Sequence, residues 1–164
     1  MSLLERASVR RVSEALAAAG CETQVIELET TARTARDAAQ SLGCELGAIV
    51  KSLLFDVAGQ PVMALVAGDR QCDTKLLPAA LGLKGKAKRA DADAVRRATG
   101  FSIGGVAPLA HTEPIPIAFD ASLRRFATVF AAAGHPHCVF GIAPEVLIEV
   151  SGGIESAEIG QAFC

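Results

Sequence analysis

Lys51 interrupts an almost unbroken apolar run, Ile49-Val50-Lys51-Ser52-Leu53-Leu54-Phe55. In extended geometry side chains alternate, which sets Lys51 on one face with Ile49, Leu53 and Phe55, a face expected to point inward. An ammonium facing a core or cavity needs an anion, a polarised carbonyl or a depressed pKa. The bland alternative is an edge-strand lysine whose stem packs while its ammonium reaches water. A second cluster is Gly100-Phe101-Ser102-Ile103-Gly104-Gly105-Val106-Ala107-Pro108-Leu109-Ala110-His111, which has neither helical nor strand periodicity. Its paired glycines allow positive φ and let backbone N–H groups converge on a carboxylate, a phosphate or a developing oxyanion, although most such pairs merely turn the chain. The lysine that follows a phosphate loop and the third glycine of a dinucleotide fingerprint are missing.

Two further clusters carry charge or metal-binding atoms. His135-Pro136-His137-Cys138 holds two imidazoles and a thiol within four residues. No second cluster supplies a partner at zinc-ligand spacing, and a turn entering a strand explains the run equally well, so neither metal nor cofactor is expected. Lys84, Lys86, Lys88, Arg89, Arg96 and Arg97 stand against Asp91 and Asp93, a concentration of positive charge in a chain whose net charge is −2. A solvated surface accounts for it, and so does contact with a phosphate backbone. The acidic balance of the whole argues against general DNA binding and leaves room for a patch that holds one end of an RNA.

The elements that must position these groups follow from periodicity and punctuation. Val9, Val12, Leu16 and Ala19 recur at helical intervals from Ser8 to Ala19, closed by Gly20. Thr23 to Leu28 reads as a strand, and a helix from Thr34, with Asp37 as a capping acid, ends at Leu42-Gly43. The Lys51 strand, the turn Asp56 to Gln60 and the returning strand Pro61 to Ala67 form a hairpin. Short helices are expected from Asp73 to Leu81, despite Pro78, and from Asp91 to Thr99. Strands are expected at Ile115 to Phe119, Thr128 to Ala132 and Cys138 to Ile142, with a turn at Asp120 and Ser122. A helical turn from Ala143 to Leu147 then leads into a strand-like Leu147 to Val150. Because strands come in hairpins rather than βαβ units, the expected fold is α+β: a mixed, largely antiparallel sheet or barrel of about seven strands, helices packed outside.

Composition sets the outer bounds. The 164 residues suit one domain spanning 1–164, and 51% of them are hydrophobic, with no Trp or Tyr. Apolar stretches stop near eight residues, far below the ~20 that cross a bilayer, so no membrane partner is expected. The amino terminus lacks a secretory pattern. Cys21, Cys44, Cys72, Cys138 and Cys164 are odd in number and form no Cys-x-x-Cys pair, as for free thiols in a reducing cytoplasm.

Taken in order, the Lys51 run, the Gly100–His111 loop and Ala133-Gly134-His135-Pro136 before a Val-Phe strand resemble the YbaK/EbsC/ProX family, free-standing relatives of the editing domain of bacterial prolyl-tRNA synthetase. The resemblance spans Ser8 to Val150. It implies hydrolysis of the ester joining a small noncognate amino acid (alanine, cysteine, serine or 2-aminobutyrate) to a tRNA, usually that for proline. Its partners would be the tRNA acceptor end and, optionally, a prolyl-tRNA synthetase. It gives Lys51 the role of essential lysine and makes Gly104, Gly105 and Val106 the loop around the aminoacyl group. Pro108 shapes that loop, and His111 and Gly134 stand at the pocket wall. Ser52 bears on which side chain fits, and His135 departs from the small hydroxylic residue expected after Gly134. Within the resemblance an alternative stands open, a tRNA-binding module without turnover.

Overall fold

The computed structural model describes residues 2–29 and 34–163. Its elements run α1 (Ala7–Ala18), β1 (Val25–Glu27), α2 (Ala35–Leu42), β2 (Val50–Val57), β3 (Gln60–Ala67), β4 (Arg70–Cys72), α3 (Leu77–Ala80), β5 (Ala87–Arg89), α4 (Ala92–Thr99), β6 (Ile117–Asp120), β7 (Val129–His135), β8 (Cys138–Ile142), α5 (Pro144–Ser151), β9 (Ile154–Ser156) and β10 (Gly160–Ala162). The strands form a five-stranded sheet in the order β5-β2-β3-β6-β9, a three-stranded sheet β1-β8-β7 and a two-stranded clip β10-β4. Five of the seven strand pairings are antiparallel; β3–β6 and β6–β9 are parallel. The α+β class and the mixed, largely antiparallel sheet are therefore as expected. Ten strands replace seven, and among the described residues no barrel closes.

Local chemistry explains the elements that were foreseen. Thr34 caps α2 by accepting from the Asp37 N–H, and Gly43 closes it in the left-handed region. The β2–β3 hairpin turns on Ala58 and Gly59, both at positive φ, with the Asp56 carboxylate accepting from the Gly59 N–H at 3.1 Å. Leu147 to Val150 is corrected: it is helix, not strand, with Pro144 in the first turn of α5 and Gly152 left-handed beyond its end. Likewise Asp73 to Leu81 contains a helix only over Leu77–Ala80.

β2 separates two cores. Its even residues Val50 and Leu54 join Val9, Val12 and Leu16 of α1 with Met63, Leu65, Phe119, Ala131 and Phe140 in the larger cluster. Its odd residues Phe55 and Val57 join Val62, Val66, Leu77 and Ile159 in the smaller one, with Leu53 packed against it. Ile49, expected beside Lys51 on one inward face, instead packs with Leu28, Ala38, Ala39 and Val139, because the strand begins only at Val50. Burying a branched side chain of this kind stabilises by roughly 1.5–3 kcal/mol, so each face independently fixes the register of β2.

Candidate active site

Among the described residues the first half of β2 has a strand neighbour on one side only. β3 pairs with the whole of β2, whereas β5 reaches only Phe55 to Val57. Gly68 donates its N–H to the Ile49 carbonyl, so odd residues exchange bonds with β3 and even residues turn theirs the other way. The Leu54 carbonyl takes the Ala90 N–H, but the main chain of Ser52 faces a gap. That gap is a cavity of about 290 Å³. It is bounded by Val50 to Leu54 of β2, Ala131 and Ala132 of β7, Thr34 and Ala38 at α2, Arg89, and Ile103, Gly104 and Val106 of the glycine loop. Among the described residues an isolated parallel bridge joins Ile49 to Phe130, both of which line the cavity.

Lys51 lines this cavity, half-buried, and its ammonium donates to the Arg70 carbonyl of β4. The ring of Phe163 lies 5.3 Å from its Nζ. Burial pushes its pKa below the ordinary lysine value, while Asp69, Cys72 and Asp120 pull the other way and Arg89 adds to the depression. The ammonium thus meets a main-chain carbonyl, on a side chain that stays half-buried. Asp69 itself pairs with Arg125 at 2.8 Å, which keeps its carboxyl below the usual range. Cys72 is held as a thiol, its pKa pushed up to about 11 chiefly by burial. The hydroxyl of Ser52 is buried and has no hydrogen-bond partner.

The glycine loop is a braced structure. Gly104 takes φ +94°, and a Cβ on Gly105 would meet the His135 backbone at 2.9 Å, so the loop packs directly on the β7–β8 turn. Gly105 donates its N–H to Ser102 at 3.0 Å; among the described residues the N–H groups of Gly104 and Val106 take no protein acceptor. Arg11 of α1 buckles the loop's two ends, donating from Nε to the Ala110 carbonyl and from Nη2 to that of Thr99, both at 3.0 Å. Its guanidinium lies 4.3 Å over the Phe101 ring.

Several residues assigned to the pocket stand one step behind it. His111 turns its ring inward, its Nε2–H donating to the Ala107 carbonyl at 2.7 Å, and burial lowers its pKa. Pro108 is buried inside the loop. Gly134, at φ +94°, packs under α1: a Cβ there would meet the Ser8 carbonyl at 2.5 Å, and Ser8 Oγ donates to the Gly134 carbonyl. His135 accepts the His137 N–H at Nδ1, and the two rings meet edge to face at 5.3 Å, so this run is the turn between β7 and β8. Its Pro136, rather than His135, reaches the cavity. Of the six residues of the basic patch, Arg89 lines the cavity; Lys84, Lys86, Lys88, Arg96 and Arg97 are exposed around α4 and β5 beyond it. Arg11 and Phe163 were not foreseen, since an arginine on a helix and a lone phenylalanine after Gly160-Gln161-Ala162 carry no spacing signal. Cys21, Cys44, Cys72 and Cys138 are free thiols; Cys164 lies outside the described residues.

Comparison with known proteins gives consistent findings. The family model for the aminoacyl-tRNA editing domain matches residues 29–150. The uncharacterized protein YwhH of Bacillus subtilis is 37% identical over 79% of this chain and 82% of its own length. The protein named "Putative Cys-tRNA(Pro)/Cys-tRNA(Cys) deacylase EbsC" of Enterococcus faecalis is 29% identical over 77% of this chain and 76% of its own. A crystal structure described as a "putative trans-editing enzyme for prolyl tRNA synthetase" superposes with TM-score 0.88 at 35% identity, covering 96% of this chain and 99% of that one.

Proposed function

This chain belongs to the aminoacyl-tRNA editing domain family, and from that membership we propose that it is a trans-editing deacylase. It would hydrolyse the ester between a small noncognate amino acid, such as alanine, cysteine, serine or 2-aminobutyrate, and the tRNA for proline. The observation that carries this reading is the meeting of Lys51, Ser52, Gly104 and Val106 around one cavity whose rim bears Arg89.

The geometry is suited to an activated ester. Water adds to the carbonyl carbon, the carbonyl oxygen gathers negative charge, and the ribose oxygen leaves with a proton to give free amino acid and free tRNA. The unpaired N–H groups of Gly104 and Val106 are the donors available to that oxyanion, and one well-aimed donor of this kind contributes about 3 kcal/mol. Lys51 supplies the cation. An anionic or carbonyl oxygen of the substrate would exchange with the Arg70 carbonyl on its ammonium. The walls are mostly aliphatic, from Ile49, Val50, Leu54, Val95, Val106 and Val139, so discrimination would be by size, the logic of a second sieve. Lys84, Lys86, Lys88, Arg89, Arg96 and Arg97 would track the acceptor-end phosphates. A cytoplasmic setting, with a prolyl-tRNA synthetase nearby, follows from the same reading.

The test charges tRNA for proline with alanine, serine, cysteine, 2-aminobutyrate or proline and follows ester loss beside Lys51→Ala. The expected result is selective hydrolysis of a small noncognate ester, reduced about 10²–10³-fold in the variant, the scale of losing one oxyanion-stabilising group. Decay of every ester at the buffer rate while the tRNA still binds would replace the deacylase with a binding module.

A further inference from the structure

We propose that Phe163 is a stacking platform for the terminal base of the RNA whose ester enters beside Lys51, a proposal that rests on the function read above for that cavity. The chain has seven phenylalanines and no Trp or Tyr. Phe55, Phe101, Phe119 and Phe140 are fully buried, and Phe126 and Phe130 pack against the cores. Phe163 alone is left in water, 59% exposed.

The backbone that leads to the ring is nevertheless held in place. Ile159 is fully buried, its carbonyl accepts the Asp73 N–H at 2.7 Å, and β10 pairs Gly160, Gln161 and Ala162 with Cys72, Gln71 and Arg70. Gly160 lies against the buried Asp120 carboxylate with no room for a Cβ. Arg70, opposite the residue before Phe163, is also the residue whose carbonyl holds the Lys51 ammonium. Lysine and ring are thus set by one two-stranded clip, with Nζ 5.3 Å from the ring centroid.

An exposed aromatic face beside a cation, with Arg89 on the same cavity and five more basic side chains beyond it, is the combination that binds single-stranded nucleic acid: bases stack on the ring and phosphates meet the cations. A ring that served only to cover Lys51 would bury its surface. An ester bond placed beside Lys51 brings the adenosine that carries it within reach of a ring whose centroid lies 5.3 Å from that ammonium.

The experiment uses an uncharged acceptor-stem hairpin with 2-aminopurine in place of its terminal adenine, titrated with the full chain. Wild type should bind and quench the fluorophore. Phe163→Ala should bind roughly tenfold more weakly, with the quench lost at saturation, and Phe163→Trp should keep both. Lys88→Glu, by contrast, should weaken binding and leave the quench at saturation unchanged. Equal quenching by Phe163→Ala, or a higher deacylation rate in that variant, would overturn the stacking role and leave the deacylase reading intact. No binding by wild type would defeat both.

Discussion

The two faces of β2 do different work with the same backbone. The even face sends Val50 and Leu54 into the larger core and leaves the Ser52 hydroxyl at the cavity, opposite a loop braced from α1 by Arg11. The odd face sends Phe55 and Val57 into the smaller core and turns Lys51 onto the β4–β10 clip, beneath which Asp120 lies. A strand fully paired on both edges would keep these two sets of side chains on opposite sides of a sheet. Here β5 stops at Phe55, so both sets meet one cavity across the open edge. Shape is thus the business of the even face and the loop, while charge is the business of the odd face and the clip.

The largest effect should come from breaking the charge side. Asp120 is 1% exposed, and its carboxylate accepts from the Ala67 N–H at 3.0 Å and the Ser122 N–H at 2.9 Å. Asp120→Ala would orphan both donors and loosen Gly160 above them, a cost of about 3 kcal/mol in urea unfolding. Because the clip sets Lys51 rather than the walls, ester hydrolysis should fall while the order of preference among esters stays the same. A change in that order would mean that the clip also shapes the pocket.

Arg11→Ala is the matching break on the shape side. It removes two hydrogen bonds and a cation–aromatic contact, about 1–2 kcal/mol of stability. The loop carrying Gly104 and Val106 should then drift, so that selectivity among esters relaxes along with the fall in rate. Arg11→Lys should not rescue it, since a single ammonium cannot reach both carbonyls as the guanidinium fork does. Unaltered selectivity in both variants would show that the loop holds its form without the buckle.

How far the sequence disclosed all this depended on length of signal. The β2–β3 hairpin, the Thr34 and Gly43 caps of α2 and the Gly100 stop of α4 rest on local chemistry and were legible. The clip was not, because β4 and β10 are three residues each and exist only through their mutual pairing. In α5, Val146, Ile148 and Val150 carry β propensity, yet Pro144 and Gly152 at its ends outweighed it. At the site, family resemblance brought Lys51 and Gly104 together. It gave no means of seeing that His111 and Gly134 support the loop from behind, since a wall residue and its support share one spacing.

The two sides should also fail at opposite ends of the pH scale. Burial lowers both the His111 and the Lys51 pKa. For His111 the unfolded chain takes up its proton first, so its contribution to stability is full above about 6.5 and is lost as pH falls through the lower folded value. For Lys51 the depressed pKa removes the cation at a pH below that of ordinary lysine. Thermal unfolding between pH 7.5 and 5 should therefore flatten in His111→Gln. The enzymatic rate, corrected for spontaneous ester loss, should decline on the alkaline side in wild type and show no such decline in Lys51→Ala. An alkaline limb that survives in the variant would assign it elsewhere.

The smallest stability change expected is at Ser52, and its smallness is the informative part. A buried hydroxyl with a protein partner loses about 1 kcal/mol on truncation, whereas Ser52 Oγ has none to lose. Ser52→Ala should therefore leave the melting temperature unchanged or slightly raised. If the hydroxyl serves the substrate's side chain, the same variant should lose its advantage for the serine and cysteine esters, whose side chains can hydrogen-bond, relative to 2-aminobutyrate, because a site built to pair such a group discriminates by leaving it unpaired. A clear drop in stability with unchanged selectivity would instead make Ser52 part of the framework, and the division between the two faces of β2 would then lie one residue further from the cavity.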